Sequence, residues 1–324
     1  MMNFEHLRRD NCYFVDKTRF IEKIEDANKY FFFIRPRRFG KSLTLSMLAH
    51  YYDINMKDRF EELFGDLYIG SHPTPERNQY LILTLNFAAI HADLDHYKEE
   101  MDRYCSRVFD LFCYQYRHLL PADTPKKMEA TQDAIGMLDL ACNECQKVGL
   151  KLYLFIDEYD HFTNKILSHP DAFSKYREET HGEGYIRKFY DVIKDGTNKS
   201  IERLFITGVS PVTMDDLTSG FNIGSNYSLQ PQFNEMTGFT EEEVRQMLTY
   251  YASVEPYNHT VEELLATMKP YYDNYCFAEE CYGQTTMYNS NMVLYFIDQY
   301  RNSLYQLPKD MLDANIRFDY EKIR

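Results

Sequence analysis

No run of apolar residues in this chain is long enough to cross a membrane as a helix. The first residues, Met1-Met2-Asn3-Phe4-Glu5-His6-Leu7-Arg8-Arg9-Asp10, lack the apolar centre of a secretory signal. A cytoplasmic, intracellular protein without membrane partners is the expectation. Positive charge is in short supply. Against 36 lysines and arginines stand 50 acids, for a net charge of −14. That excludes a surface that coats nucleic acid generally and leaves direct nucleic-acid binding to a local basic patch at most. Tryptophan is absent, and the 16% aromatic content is carried by Tyr and Phe. A ring-rich core follows; a function does not. The seven cysteines are an odd number scattered through a long chain, which suits reduced thiols rather than a disulfide framework. Cys142 and Cys145 form a C-x-x-C, and Cys276 and Cys281 a looser pair. Cys142 falls within a helical pattern with Met137, Leu138, Leu140 and Ala141, and the gap to the second pair is far from zinc-finger spacing, so buried or idle thiols are favoured over a zinc site. Internal repeats and low-complexity segments are not evident.

What is present centres on one stretch. The apolar run Tyr30-Phe31-Phe32-Phe33-Ile34 leads through Arg35-Pro36-Arg37-Arg38-Phe39 into Gly40-Lys41-Ser42, and a helical pattern follows with Leu43, Leu45, Met47, Leu48 and Tyr51. Strand, loop and helix in this order are the layout of a phosphate-binding loop, whose full pattern is G-x-x-x-x-G-K-[ST]. Arg35 stands where the first glycine belongs, so the match is incomplete. The remaining residues carry the chemistry. Gly40 lets backbone N–H groups approach a phosphate, Lys41 can reach β- and γ-phosphates, and the Ser42 hydroxyl can ligate Mg²⁺. The new helix aims its positive end at the anion. ATP with Mg²⁺ is therefore the expected ligand of Arg37, Arg38, Phe39, Gly40, Lys41, Ser42 and Leu43. The bland alternative is an ordinary strand–turn–helix with a surface lysine.

A second apolar run, Lys151-Leu152-Tyr153-Leu154-Phe155-Ile156, delivers Asp157 and Glu158 at its end, where an open parallel sheet places its ligand site. Asp157 is the expected Mg²⁺ partner and Glu158 the general base. Alone, such a run is as often a strand meeting a solvated turn; the upstream Gly-Lys-Ser tips the balance. Asp160 is left between capping the next helix and stabilising the loop. A third run, Ile201-Glu202-Arg203-Leu204-Phe205-Ile206, ends in Thr207, with Ser210 and Pro211 close behind. In P-loop ATPases with an inserted strand, the strand beside the first ends in a polar residue that senses the γ-phosphate. Thr207 is the candidate and Ser210 the reserve, although both suit a turn before Pro211 equally.

The fold expected is α/β: a P-loop NTPase parallel sheet with helices on both faces over residues 1–238, followed by a small, mainly helical lid or coupling domain over 239–324. Further strands are expected at 80–87 and, at the edge, 227–229. Helices are expected at 93–119, 126–148 and 183–195, with a loop region around Gly65 and Gly70. In the C-terminal part, Thr240 and Glu243 fit a capping box opening a helix over 240–252, a second runs over 260–269 and ends at Pro270, and a third spans 289–304 with Asn289 as cap. Ahead of the first strand, Asp16 or Thr18 suits a helix cap, while Tyr13, Phe14 and Val15 could wall the adenine side of a nucleotide site. Arg187 and Lys188 fit a solvated helix face; the alternative is an arginine finger acting across an oligomer interface.

These residues resemble the AAA-ATPase-like family of bacterial, archaeal and some fungal proteins, whose members often precede a PD-(D/E)XK nuclease-like domain. The resemblance rests on residues 13–18 (Y-F-V-D-K-T), 35–43 (R-P-R-R-F-G-K-S-L), 157–160 (D-E-Y-D), 206–211 (I-T-G-V-S-P) and 218–222 (T-S-G-F-N), and continues through Tyr272-Asp273-Asn274-Tyr275 and Tyr288-Asn289-Ser290. It covers nearly the whole chain. In the family an arginine in place of the first glycine is usual, so ATP binding is implied, as is a place for residues 13–18 near the nucleotide. A nuclease-like part would lie beyond residue 324, and Tyr320-Glu321-Lys322-Ile323-Arg324 is not such a site, so nuclease activity is not expected of these residues. A fragment and an ATPase-only member both fit. Three functions stand side by side. One is a Mg²⁺-dependent ATPase coupled to a partner domain or assembly, including a homo-oligomer. The second is a nucleotide-gated scaffold with little turnover. The third is the ATPase module of a nucleic-acid-directed, nuclease-linked system, in which Lys29, Arg35, Arg37 and Arg38 would touch phosphates.

Overall fold

The computed structural model describes residues 3–90, 96–161, 184–211 and 224–312. These form two compact units. One comprises the described residues of Ile21–Pro36 and Leu45–Tyr227; the other those of Met1–Phe20, Arg37–Thr44 and Ser228–Arg324.

The first unit is built on strands β1 (Tyr30–Ile34), β2 (Tyr80–Asn86), β3 (Lys151–Asp157), β4 (Ile201–Gly208) and β5 (Ser225–Asn226). They pair in parallel in the order β2-β3-β4-β1-β5. The long helices are α1 (Lys41–Tyr52), α2 (Tyr97–Gln115), α3 (Ala134–Lys147) and α4 (Tyr185–Gly196), with α5 (Glu241–Val254), α6 (Val261–Tyr272) and α7 (Ser290–Asn302) in the second unit. Apolar runs (Tyr30–Ile34 in β1, 152–156 in β3, 204–206 in β4) make these strands because a parallel sheet is covered on both faces. On one face Leu83, Leu154, Ile156 and Ile206 pack with Met101 and Phe109 of α2, Leu138 and Cys142 of α3 and Phe189 of α4. The other face is aromatic. Phe31 stacks on Phe205 (4.9 Å between ring centres), Tyr153 on Phe155 (4.3 Å), and Tyr52 of α1 sits over Tyr153 (5.0 Å). Helices lie on both faces as expected.

Several element boundaries differ from expectation. The helix expected over 126–148 is two, Thr124–Ala130 and α3, because the Asp133 carboxylate caps α3 by accepting from the Gly136 N–H (2.8 Å). The start of the helix expected at 93 lies outside the described residues; α2 begins at Tyr97 and ends at Gln115. The edge strand is shifted from 227–229 to Ser225–Asn226, with Ser225 opposite Phe31. Tyr227 closes the pairing by donating its N–H to the Phe32 carbonyl (2.9 Å) and stacking on Phe31. The loop expected around Gly65 and Gly70 contains short helices, Phe60–Phe64 and Tyr68–Ser71, which bury Phe60, Leu63, Phe64 and Ile69. On α4, Arg187 is half-buried and Lys188 exposed. Cys142 and Cys145 are fully buried, and burial pushes the Cys142 thiol up to about 12. No helix among the described residues is long and apolar enough to cross a membrane.

The second unit gathers α5, α6 and α7 around Met247, Leu264, Met268, Tyr272, Val293 and Phe296, beside an antiparallel pair, β6 (Asp273–Tyr275) and β7 (Met287–Tyr288). The capping box of α5 is formed. Thr240 Oγ1 accepts from the Glu243 N–H, and the Glu243 carboxylate accepts from the Thr240 N–H. Pro270 does not end α6, which runs on to Tyr272. In the last turn the proline removes one helical N–H and leaves the earlier turns intact.

Candidate functional site

β1 hands the chain to the loop at Arg35. The Arg35 N–H donates to the Gly208 carbonyl (3.2 Å), extending the β1–β4 pairing by one residue. Its side chain folds inward: 1% of the residue is exposed, the guanidinium lies 4.1 Å over the Phe33 ring, and Nη1 donates to the Ile34 carbonyl (2.9 Å). Burial presses its pKa down to about 9, so it remains a cation at neutral pH. Arg35 therefore belongs to the interior and not to an exposed basic patch. Lys29, the other outlying cation considered for such a patch, pairs with Glu202.

The loop itself, residues 37–44, packs within the second unit. Phe39 is fully buried, edge-on to Tyr275 (4.7 Å) and Phe277 (5.3 Å). Three successive carbonyls are held by donors. Asn289 Nδ2 donates to Arg37 (3.4 Å), Ser290 Oγ and the Asn291 N–H to Arg38 (3.0 and 3.3 Å), and the Gly238 N–H to Phe39 (2.9 Å). Two residues take left-handed conformations, Arg38 at φ +70° and Gly40 at φ +88°. Glycine suits the second because its backbone, not crowding, demands it: an added Cβ would meet nothing nearer than Ser290 Oγ at 3.9 Å. The Gly40 carbonyl then accepts from the Thr44 N–H (2.9 Å), starting α1, which Lys41 opens as a buried residue with Ser42 and Leu43 half-buried behind it. Arg37 is exposed and Arg38 half-buried.

In the first unit, Asp157, Glu158 and Thr207 come together at the carboxyl edge of the sheet, the same edge at which β1 ends. Asp157 ends β3 opposite Asn86, is 3% exposed, and accepts from the Glu158 N–H (3.0 Å). Glu158 is left-handed at φ +52°, a conformation that costs a non-glycine residue ~1 kcal/mol or more. Asp160 is fully buried and stabilises the loop after β4, accepting from the N–H groups of Val209 (3.2 Å) and Ser210 (2.7 Å). The other expected role, capping the next helix, falls on residues outside those described. Gly208 is required by this close approach: a Cβ there would lie 2.4 Å from Asp160 Oδ1 and 2.5 Å from the Tyr159 ring. Thr207 lies opposite Phe33, is 1% exposed, and donates its hydroxyl proton to the Phe33 carbonyl (2.6 Å). Its one donor is thus committed within the sheet.

Tyr13 and Phe14 lie in the second unit. Tyr13 packs against Tyr250 (5.1 Å), and Phe14 sits edge-on to Phe4 (5.4 Å). Both line a groove of about 820 Å³ rimmed by Asp16, Glu235, Glu241 and Glu242, with Arg19 and Lys269 among them. Residues 37–44 do not line it. Asp16 accepts from the Thr18 N–H and hydroxyl (2.8 and 2.7 Å), a tight turn ahead of the helix Phe20–Glu25. Two contributions escaped the reading of single residues. Lys17 is anchored on Glu243 (2.6 and 2.7 Å) and the Glu235 carbonyl (2.9 Å), and Asn289 and Ser290 hold the loop. The residue pattern marked 13–15 as a candidate nucleotide wall and Asn289 as a helix cap, but the bonds of Lys17 to Glu243 and of Asn289 and Ser290 to the loop join positions too far apart in sequence to be read from either segment.

A family whose description reads "Predicted AAA-ATPase" matches residues 1–218. A curated relative, an uncharacterized protein in the vnfD 5′ region of Azotobacter chroococcum mcd 1, is 26% identical over 235 residues. The match spans 72% of this chain and 41% of the relative's length. No solved structure matches.

Proposed function

The chain belongs to the predicted AAA-ATPase family, and on that premise we propose that it binds ATP with Mg²⁺ at residues 37–43, hydrolyses it, and passes the nucleotide state through its C-terminal helices to a partner. The strand order β3-β4-β1 carries this reading. One strand separates the acid pair Asp157-Glu158 from the strand that feeds the loop, and all three strands end at the same edge. A parallel sheet gathers its ligand there. With the carbonyls of Arg37, Arg38 and Phe39 held by other donors, an arriving phosphate meets loop N–H groups and the Lys41 ammonium rather than carbonyl oxygens.

The oxygen donors Ser42 and Asp157 fit Mg²⁺, a hard cation that prefers hydroxyl, carboxylate and water ligands. When bound, the ion supplies neutralising charge to the phosphates. Lys41 and the start of α1 stabilise the charge that develops on the transferred phosphoryl group. Glu158 orients the attacking water and accepts its proton, and its left-handed backbone is the kind of strain that functional sites retain. Thr207 acts as a link rather than a direct phosphate ligand, since its proton ties the end of β1 to β4. If Tyr13 and Phe14 contribute to the nucleotide site, it is at the base and not at the phosphates, since the groove they line is rimmed mainly by carboxylates and not by residues 37–44.

The test is ATP turnover and affinity in three proteins. Glu158→Gln is expected to lower turnover ~10²–10⁴-fold with binding retained. Lys41→Ala is expected to abolish nucleotide binding. Equal turnover in wild type and Glu158→Gln would leave a nucleotide-gated scaffold in place of an ATPase, and unchanged affinity in Lys41→Ala would remove the site.

A further inference from the structure

The conformation of the phosphate loop is not self-sufficient. Arg38 holds φ at +70° without being glycine, a conformation that side chains with a Cβ resist. Glycine at that position would adopt the conformation freely; arginine needs it to be imposed. The groups that impose it come from the start of α7. The Arg38 carbonyl accepts from both Ser290 Oγ (3.0 Å) and the Asn291 N–H (3.3 Å), and the preceding carbonyl accepts from Asn289 Nδ2 (3.4 Å). Asn289 and Ser290 are 8% and 9% exposed, so these bonds are made largely out of water.

Asn289 caps α7, its side chain accepting from the Met292 N–H, and its own N–H donates to the Tyr272 carbonyl at the end of α6 (3.2 Å). Ser290 occupies the first helical position. Its hydroxyl is not the cap and is not needed to start α7, so its bond to Arg38 is separable from the stability of the helix. We infer that Ser290 is a positioning residue for the nucleotide: its hydroxyl, supported by Asn289, holds Arg38 left-handed and so presents the Gly40–Ser42 backbone to phosphate. The inference rests on the proposed nucleotide site and adds to it the group that sets the loop's shape. It also makes α7 the element through which nucleotide occupancy and the C-terminal helices are linked, since a bond that favours binding is favoured by binding in return.

The experiment compares the wild type with Ser290→Ala, Ser290→Thr and Lys41→Ala, reading the Kd for a fluorescent ATP analogue with Mg²⁺, the KM and kcat for ATP, and the melting temperature. Ser290→Ala is expected to weaken binding and raise KM about fivefold, the worth of one neutral hydrogen bond, with kcat and melting temperature close to wild type. Ser290→Thr, which keeps the hydroxyl, is expected to restore the affinity. Wild-type affinity in Ser290→Ala, with binding lost in Lys41→Ala, would overturn the inference and leave the nucleotide site standing. Parallel loss of affinity and melting temperature in both the Ala and Thr variants would also overturn it, by making Ser290 a packing residue. Failure of the wild type to bind, with Lys41→Ala no different, would remove the nucleotide site and the inference with it.

Discussion

Arg203 is carried by β4 into the interior, where 3% of its side chain is exposed, and Glu76 meets it with two bonds: Nε to Oε2 at 2.5 Å and Nη2 to Oε1 at 2.7 Å. The carbonyls of Ile24 and Glu25 accept two more of its protons (3.4 and 3.1 Å). Burial pushes the Glu76 carboxyl up, but the Arg203 guanidinium and the Tyr80 hydroxyl more than reverse this and leave it below the usual carboxylate range. Removing one partner of a buried pair leaves an uncompensated charge. Glu76→Gln is therefore expected to cost about 2 kcal/mol, less than for a fully enclosed pair because Glu76 is 30% exposed. Urea unfolding checks it. The sign of the pH dependence follows from the lowered pKa. The carboxylate's contribution is complete above the unfolded-state pKa and is lost as pH falls through the folded one, so the gap between wild type and variant should be constant above about pH 5 and close in acid. A gap that widened in acid would reverse the assignment.

The ion pair of Lys17 with Glu243 works between segments rather than within one. Glu243 is at once the third residue of the α5 capping box and the anchor for the N-terminal stretch 13–18. Burial presses the Lys17 ammonium below its usual range, and Glu243 opposes that shift without reversing it. Thr240→Ala is expected to cost ~1 kcal/mol through the cap alone. Glu243→Gln is expected to cost ~3 kcal/mol because it also strands the Lys17 charge, and Lys17→Met combined with Glu243→Gln should recover part of that loss in a double-mutant cycle. Additive losses would show that the two groups act separately. The capping box was legible because its four residues are adjacent, and the strands were legible because β1 is an unbroken apolar run and β3 and β4 carry apolar runs from Leu152 and Leu204 onward. The partner of Lys17 was not, since it lies 226 positions away. Nor was the burial of Arg35, since a charged residue beside Pro36 and Arg37 carries no sign of the Phe33 ring that covers it. Pro270 within α6 and the cap at Asp133 misled for a related reason: both are local signals whose outcome depends on which turn of the helix they meet.

The phosphate loop divides the chain in a way that sequence order conceals. Residues 37–44 follow β1 directly, yet pack in one unit with residues 228 onward. Phe39 owes its complete burial in part to Tyr275 and Phe277, and the carbonyls beside it are held by Gly238, Asn289, Ser290 and Asn291. A fragment ending at residue 238 would keep every residue of the candidate site, Lys41, Ser42, Asp157, Glu158 and Thr207 included. It would lose both aromatic walls of Phe39, both donors to Arg38, and the Glu243 partner of Lys17. An exposed Phe side chain forfeits ~1.5–3 kcal/mol of burial, and each lost loop bond ~1 kcal/mol. The fragment is accordingly expected to bind a hydrophobic dye and to show no measurable affinity for ATP with Mg²⁺ at concentrations that saturate the full chain. Nucleotide titration of the two proteins side by side checks this. Full affinity in the fragment would show that residues 1–238 set the loop unaided and that the C-terminal helices only respond to it.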